Sequence, residues 1–79
     1  MEANKWRFLV DKLIGYLADG SELHYVEIGG PSGVDKPTVT PAGHALCAMS
    51  LATESDSGKQ FFFDETSGWV EQFTFKTAD

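Results

Sequence analysis

Cysteine, histidine and long apolar runs are scarce in this chain, and each shortage excludes a class of protein. The single cysteine, Cys47, cannot form an internal disulfide, and the two histidines, His24 and His44, lack the paired spacing of common zinc sites. The longest apolar runs fall far short of the ~20 residues that a membrane-spanning helix requires. The N-terminal residues show no secretory signal, because no basic start precedes an apolar stretch. We therefore expect a cytoplasmic protein that holds no metal and no cofactor.

Basic side chains are also few. The chain has 6 Lys and Arg residues against 12 Asp and Glu residues, which leaves a formal net charge of -6 at pH 7. Such a charge opposes binding to DNA, RNA or an anionic membrane, and it favours a basic protein partner. The length of 79 residues predicts one domain over 1–79, with a modest core and little room for a deep enzyme pocket.

The N-terminal segment carries large apolar side chains at intervals of three and four residues. This spacing places them on one stripe of an α-helix over about 3–19. Gly20 follows Asp19 and supplies a residue that can adopt positive φ and end the helix. The apolar stripe consists of Trp6, Leu9, Val10, Leu13, Ile14 and Leu17. The sequence thus predicts an amphipathic helix with one face packed on a sheet.

A strand and a long loop are predicted next. Residues 22–28 are rich in β-branched, aromatic and aliphatic side chains and end at a run of glycine and proline, which predicts a strand. Residues 29–43 contain too much glycine and proline for a helix or a central strand, so we expect a loop there.

The segment 45–54 is ambiguous between strand and helix. The alternation of Cys47, Met49 and Leu51 favours a strand. However, a Thr-Pro pair upstream resembles a helix cap, and the alanine, leucine and methionine content favours a helix. A second helix over 41–53 is therefore the alternative.

Residues 59–64 and 69–76 are the clearest strands, because aromatic and polar side chains alternate on both sides of a glycine-containing turn. The rings expected to face the helix stripe are those of Phe61, Phe63, Trp69, Phe73 and Phe75. Phe62 falls among the outward polar residues, so either it is an exposed contact or a bulge resets the register. The predicted fold class is α+β, with an N-terminal helix packed on a mostly antiparallel sheet of three or four strands.

No arrangement of residues has the signature of an enzyme. His44 and Cys47 lie three positions apart, but no nucleophile pattern and no third orienting residue accompany them. The glycines at 29, 30 and 33 lack the lysine and the hydroxyl of a phosphate-binding loop. We expect a protein without catalytic activity.

The acidic residues concentrate in the sheet region and its turns. Carboxylates at a sheet end can engage the lysines and arginines that normally hold a phosphate backbone. The predicted partner-binding residues are Glu54, Asp56, Phe62, Asp64 and Glu65. The four acids would contact basic side chains, and Phe62 would be the apolar anchor of the contact. The alternative is that the acidic surface only keeps a small protein soluble.

Together these features resemble those of small acidic phage-encoded anti-CRISPR proteins directed at type I surveillance complexes, the type I-C group among them. The resemblance rests on size, acidity, the stripe from Trp6 to Leu17, the aromatic hairpin from Phe61 to Phe75 and the lack of a catalytic motif. It implies a non-enzymatic inhibitor that acts in the bacterial host cytoplasm. Such an inhibitor binds a basic surface of the complex and blocks target DNA binding.

Two other classes of function fit the same residues. A structural or interaction module, such as a phage particle component or a homodimer joined through a free sheet edge, would use an exposed Phe62 for pairing. An immunity protein that masks a toxin would need the same acidic surface. For the inhibitor we expect a monomer or a weak dimer.

Overall fold

The computed structural model describes residues 5–72, and all regular secondary structure within this range is β-strand. The strands are β1 (Arg7–Tyr16), β2 (Glu22–Gly30), β3 (Ala45–Leu46), β4 (Leu51–Glu54), β5 (Gln60–Asp64) and β6 (Gly68–Glu71). The predicted α+β class is therefore wrong, since the described residues form one six-stranded sheet without a helix. Accordingly, none of these residues lies in a helix long and apolar enough to cross a bilayer.

Most of the described part of the segment expected to be a helix over 3–19 forms strand β1 instead. This strand pairs antiparallel with β2, and its register shifts between Phe8 and Val10 and again between Leu13 and Gly15. Each bulge adds one residue to the strand, so positions on one face are there three residues apart instead of two and imitate helical spacing. Because β1 is also an edge strand of the described sheet, much of the predicted stripe is exposed instead of packed.

The strands follow the order β1-β2-β4-β5-β6, with β3 paired to β2 beside this path. β1 and β2 form an antiparallel hairpin, β4, β5 and β6 form an antiparallel meander, and both β3 and β4 run parallel to β2. Gly20 adopts a φ of 91° in the first hairpin, where Asp19 accepts hydrogen bonds from the backbone and the hydroxyl of Ser21. The positive φ expected at Gly20 thus belongs to a β-turn region and not to a helix end.

The central predictions were partly right. The strand expected over 22–28 is confirmed as β2, and most of the segment expected to be a loop is irregular. The helix considered for 41–53 is wrong. The strand considered for 45–54 is interrupted, because Met49 adopts a φ of 72° in the turn between β3 and β4. A left-handed residue cannot continue a strand, so one expected element became two short ones.

The core lies on one face of the sheet, here called the inner face, which carries Val26, Ile28 and Ala52. Leu46 completes the buried cluster. The partly buried aromatic residues packed against it are Trp6, Phe8, Phe61, Phe63 and Trp69. The expectation that Phe61, Phe63 and Trp69 share the core side is confirmed, whereas Phe73 and Phe75 lie outside the described residues. Aromatic rings therefore supply most of the apolar volume around a small buried centre.

The loop between β2 and β3 covers the inner face in place of the expected helix. The indole Nε1 of Trp6 donates to the carbonyl of Val34 at 2.8 Å, and that of Trp69 donates to the carbonyl of Pro37 at 2.8 Å. Between these two anchors, the Nζ atom of Lys36 lies 3.7 Å from the ring centroid of Phe61. These contacts tie the loop over the aromatic core, so the sheet has a covered inner face and an opposite outer face.

Candidate functional site

The outer face carries an uncovered apolar row centred on Phe62. Phe62 is the cross-strand partner of Leu51 in β4 and of Val70 in β6, and cross-strand partners project to the same face. Its chain neighbours Phe61 and Phe63 pack on the core, so Phe62 points away from it. Val70 is 43% exposed, while Leu51 and Phe62 are half-buried. We call these three side chains the Phe62 row.

The register around Phe62 settles how its side chain is oriented. The pairings of β5 with β4 and with β6 run without a shift through Phe62. The bulge considered as one explanation for Phe62 is therefore wrong. The other explanation, an outward-facing side chain, matches the pairing. Its role as a partner anchor stays a prediction.

The four predicted acidic contacts do not form one cluster. Glu54 and Asp56 lie at the turn that precedes β5, whereas Asp64 and Glu65 lie at the turn that follows it. Because a strand rises about 3.4 Å per residue, the two ends of five-residue β5 are ~14 Å apart. The structure thus separates the acids into two pairs, with Phe62 midway between them.

The Glu54 side chain is buried and hydrogen-bonded within the protein. It is only 8% exposed, and it accepts hydrogen bonds from the Ser57 hydroxyl at 2.5 Å and from Lys36 Nζ at 3.3 Å. These bonds, that from Ser57 above all, hold the pKa of the Glu54 carboxyl below its ordinary value. The carboxylate fastens the covering loop to the sheet, which leaves it little surface for a partner.

The other three acids are exposed, and each also holds a loop in place. Asp56 accepts from the backbone N and the Oγ of Ser32 at 3.0 and 2.7 Å, and these bonds lower its pKa. Asp64 accepts from the backbone N of Ser67 at 2.7 Å and of Thr66 at 3.1 Å, which lowers its pKa. Glu65 accepts from the backbone N of Ala48 at 3.2 Å. A carboxylate has more acceptor sites than these bonds use, so all three can still meet a basic side chain.

A second uncovered surface lies along β1. The sequence analysis did not predict it, because the expected helix would have packed these side chains on a sheet. The large apolar side chains exposed along β1 and just beyond it are Leu9, Leu13, Ile14, Tyr16 and Leu17, at 68, 48, 53, 64 and 41% exposure. Four of these five were expected to pack on a sheet. An edge strand with such side chains also presents backbone hydrogen-bonding groups that have no strand beside them in the described sheet.

The described residues also hold one group of side chains that could bind a metal ion, although the sequence predicted none. Glu22 and His24 lie on β2, and His44 lies directly before β3. One potential ligand atom from each lies within 4.8 Å of the others. Hydrogen bonds to Glu22 and Asp11 hold the pKa of His24 above its ordinary value. The pairing of β2 with β3, which sequence spacing does not reveal, brings the two histidines together.

In comparisons with known proteins, the chain matches no family model, no curated sequence and no solved structure.

Proposed function

We propose that this protein is a non-enzymatic inhibitor that binds a basic protein surface through the outer face of its sheet. The observation that carries the proposal is the Phe62 row, an apolar strip on the face opposite the core with exposed carboxylates at both ends of its central strand. An apolar centre with a polar rim is the usual anatomy of a protein interface. In this arrangement Phe62 is the anchor, while Asp56 at one end and Asp64 with Glu65 at the other provide the rim.

The charge of the chain supports a partner that normally holds a nucleic acid. Residues 5–72 contain ten carboxylate side chains and five Lys and Arg side chains. One of the five, Lys36, is occupied by Glu54 and by the ring of Phe61. An excess of negative charge attracts the lysines and arginines of a phosphate-binding groove. From its resemblance to anti-CRISPR proteins, we propose a type I CRISPR surveillance complex as this partner, met in the bacterial host cytoplasm, with target DNA binding blocked.

The proposal is tested by measuring DNA binding by a type I surveillance complex with and without excess protein, after capture of the complex on the immobilised chain. We expect capture and a loss of DNA binding. If the complex binds DNA equally well at saturating concentrations of the protein, this partner is wrong. If the immobilised chain also fails to capture the complex, proteins are captured from a bacterial lysate. Those with a basic nucleic-acid-binding surface are then tested in the same DNA-binding assay.

The anchor role of Phe62 is tested by substitution against a matched control. Phe62→Ala removes an apolar side chain at the centre of the proposed contact, so we expect dissociation to accelerate about 10-fold or more. Val34→Ala removes an apolar side chain from the covering loop, 37% exposed and outside both proposed contact surfaces, and leaves the dissociation rate unchanged. Thermal melts show that both variants fold. Equal dissociation rates for the two variants would move the contact away from the Phe62 row.

The acidic rim is tested by removing its charges while keeping oxygens that can accept the hydrogen bonds of the turn. Asp64→Asn combined with Glu65→Gln removes two charges but keeps an oxygen to accept the bonds from Ser67 and Ala48. Because rim charges steer association, we expect a slower association rate, with a smaller dependence on salt, at an unchanged dissociation rate. If the double variant associates at the wild-type rate at low salt, the two acids do not steer binding and serve only to keep the protein soluble.

A second candidate function is self-association through β1, favoured by the exposed apolar side chains on this edge strand. A second copy pairing with β1 would satisfy its backbone groups and cover these side chains. Sedimentation at rising protein concentration measures this directly. We expect a concentration-dependent dimer that Ile14→Lys abolishes and Val70→Lys, on the outer face, preserves. A monomer at all concentrations removes this candidate.

A further inference from the structure

Two histidines and a glutamate converge at the end of the sheet where β2 begins. The imidazole rings of His24 and His44 are stacked, with centroids 4.6 Å apart and planes inclined by 4°. The Oε1 atom of Glu22 lies 2.8 Å from Nε2 of His24 and 3.4 Å from Nε2 of His44. One carboxylate oxygen and two ring nitrogens therefore lie close together.

We propose that Glu22, His24 and His44 bind a divalent transition metal ion of the Zn²⁺ type. Imidazole nitrogen and carboxylate oxygen are ligands that Zn²⁺ accepts, at about 2.0–2.2 Å, and two histidines with one glutamate form a known combination of three protein ligands. Tetrahedral ligands at these lengths lie ~3.4 Å from one another. The three ligand atoms already lie within 4.8 Å, so small shifts at the ends of the side chains, together with a turn of one imidazole out of the stack, complete the site.

The group around His24 resembles the outer shell of a metal site. Nδ1 of His24 lies 2.6 Å from Oδ1 of Asp11, on the neighbouring strand β1. In this arrangement Nδ1 carries the proton that Asp11 accepts, and a metal ion would displace the Nε2 proton that Glu22 accepts, so that the Nε2 lone pair binds the ion. Histidines that bind a metal through one ring nitrogen usually donate from the other to a carboxylate or a carbonyl, and this partner orients the ring. Asp11 therefore acts as a positioning residue and not as a ligand.

The three proposed ligands are exposed enough for a metal ion to reach them from solvent. The side chain of His24 is 12% exposed, while those of His44 and Glu22 are 33% and 39% exposed. A fourth ligand position is thus open to water. A bound ion would join β2 to the end of the covering loop just before β3. Such a cross-link would stabilise a small domain whose core is modest. This inference does not depend on the proposed partner.

The test uses the untagged full chain with Zn²⁺ in calorimetry and Co²⁺ as a spectroscopic probe. We expect one saturable site per chain and a higher midpoint of thermal unfolding when Zn²⁺ is present. The Co²⁺ spectrum should show tetrahedral bands without a thiolate charge-transfer band, because buried Cys47 is not among the ligands. A thiolate band would assign the binding to Cys47 and overturn the proposal.

Three substitutions decide which residues hold the ion. His44→Ala removes a ligand from a loop and should weaken Zn²⁺ binding at least 10-fold. Asp11→Asn should weaken it about 10- to 100-fold, as loss of an outer-shell carboxylate does, while the tetrahedral Co²⁺ spectrum remains. Asp35→Asn, which removes an exposed carboxylate from the covering loop, is the control and should bind as the wild type does. Wild-type affinity in His44→Ala, or no saturable site in the wild type, overturns the proposal.

Discussion

Two adjacent glycines at the end of β2 should respond in opposite ways to the same substitution. A Cβ atom added to buried Gly30 would lie 2.5 Å from Cδ2, 2.8 Å from Cγ and 2.9 Å from Cα of Trp6. A Cβ added to Gly29 would meet Cδ1 of Leu9 at 3.5 Å, which is an ordinary contact. Neither glycine is among those with positive φ, so backbone strain plays no part in the comparison.

The cost of Gly30→Ala follows from what must move. The added methyl group meets the ring and the backbone of Trp6, so the indole has to leave its place on the core. Overpacking of this kind costs about 1–3 kcal/mol, and loss of the Trp6 Nε1 hydrogen bond to Val34 adds about 1 kcal/mol. We expect a total of roughly 2–4 kcal/mol. Gly29→Ala should be neutral or stabilise by up to about 1 kcal/mol, because alanine lowers the entropy of the unfolded chain.

Urea unfolding followed by tryptophan fluorescence measures both free energies of unfolding. Since about 1 kcal/mol shifts the melting temperature of a domain this size by ~4–8 °C, Gly30→Ala should melt at least ~8 °C lower. The penalty should also shrink in a Trp6→Ala background, where the clash with the ring is absent and only the contact with Cα of residue 6 remains. Equal stability of the two glycine variants, or an undiminished penalty without the indole, would refute the account of how β1 meets β2.

Two further predictions concern the turns. Met49→Gly should stabilise the protein by roughly 0.5–1 kcal/mol in urea unfolding, because glycine relieves the left-handed φ of 72° at a smaller entropic cost; a loss of stability would contradict this. Asp64 has a lowered pKa in the folded state, so its stabilisation is present above its ordinary pKa of about 3.9 and is lost as pH falls through the lowered value. Asp64→Asn should therefore be less stable than the wild type at pH 7, and the difference should shrink progressively as the pH falls below about 3.9.

The hairpin of β5 and β6 was predictable because its signals are local. Alternating rings in 60–64 and a glycine turn before Trp69 specify a hairpin through contacts between residues close in sequence. The same alternation correctly set Phe62 apart from Phe61 and Phe63. The acids at the two ends of β5 could also have been separated from sequence, since consecutive turns of a meander lie at opposite ends of the shared strand.

Strand β1 and the histidine cluster were not predictable by the same reasoning. Two bulges in β1 break its alternation, and an edge strand buries too little to enforce a clear pattern. The histidine cluster depends on parallel pairing of β2 with β3, across a loop whose path no local signal reveals. His24 and His44 therefore carry no ligand spacing in the sequence, even though their rings are stacked in the fold.

The two proposed contact surfaces are compatible, and their geometry yields one more consequence. In the order β1-β2-β4-β5-β6, the strand that carries Phe62 lies three strand spacings from the β1 edge, or about 14 Å. Two copies paired through β1 would form one continuous sheet and would leave both outer faces uncovered. The two Phe62 rows would then lie about seven spacings apart, or ~34 Å. A partner with repeated basic surfaces at that separation would be held by both copies at once, so binding would be tighter than one contact provides.

Ile14→Lys should then weaken binding to a repeated partner while leaving binding to a single isolated subunit unchanged, whereas Phe62→Ala should weaken both. If Ile14→Lys weakens binding to the isolated subunit as strongly as Phe62→Ala does, β1 itself touches the partner, and the outer face is not the separate contact surface argued above.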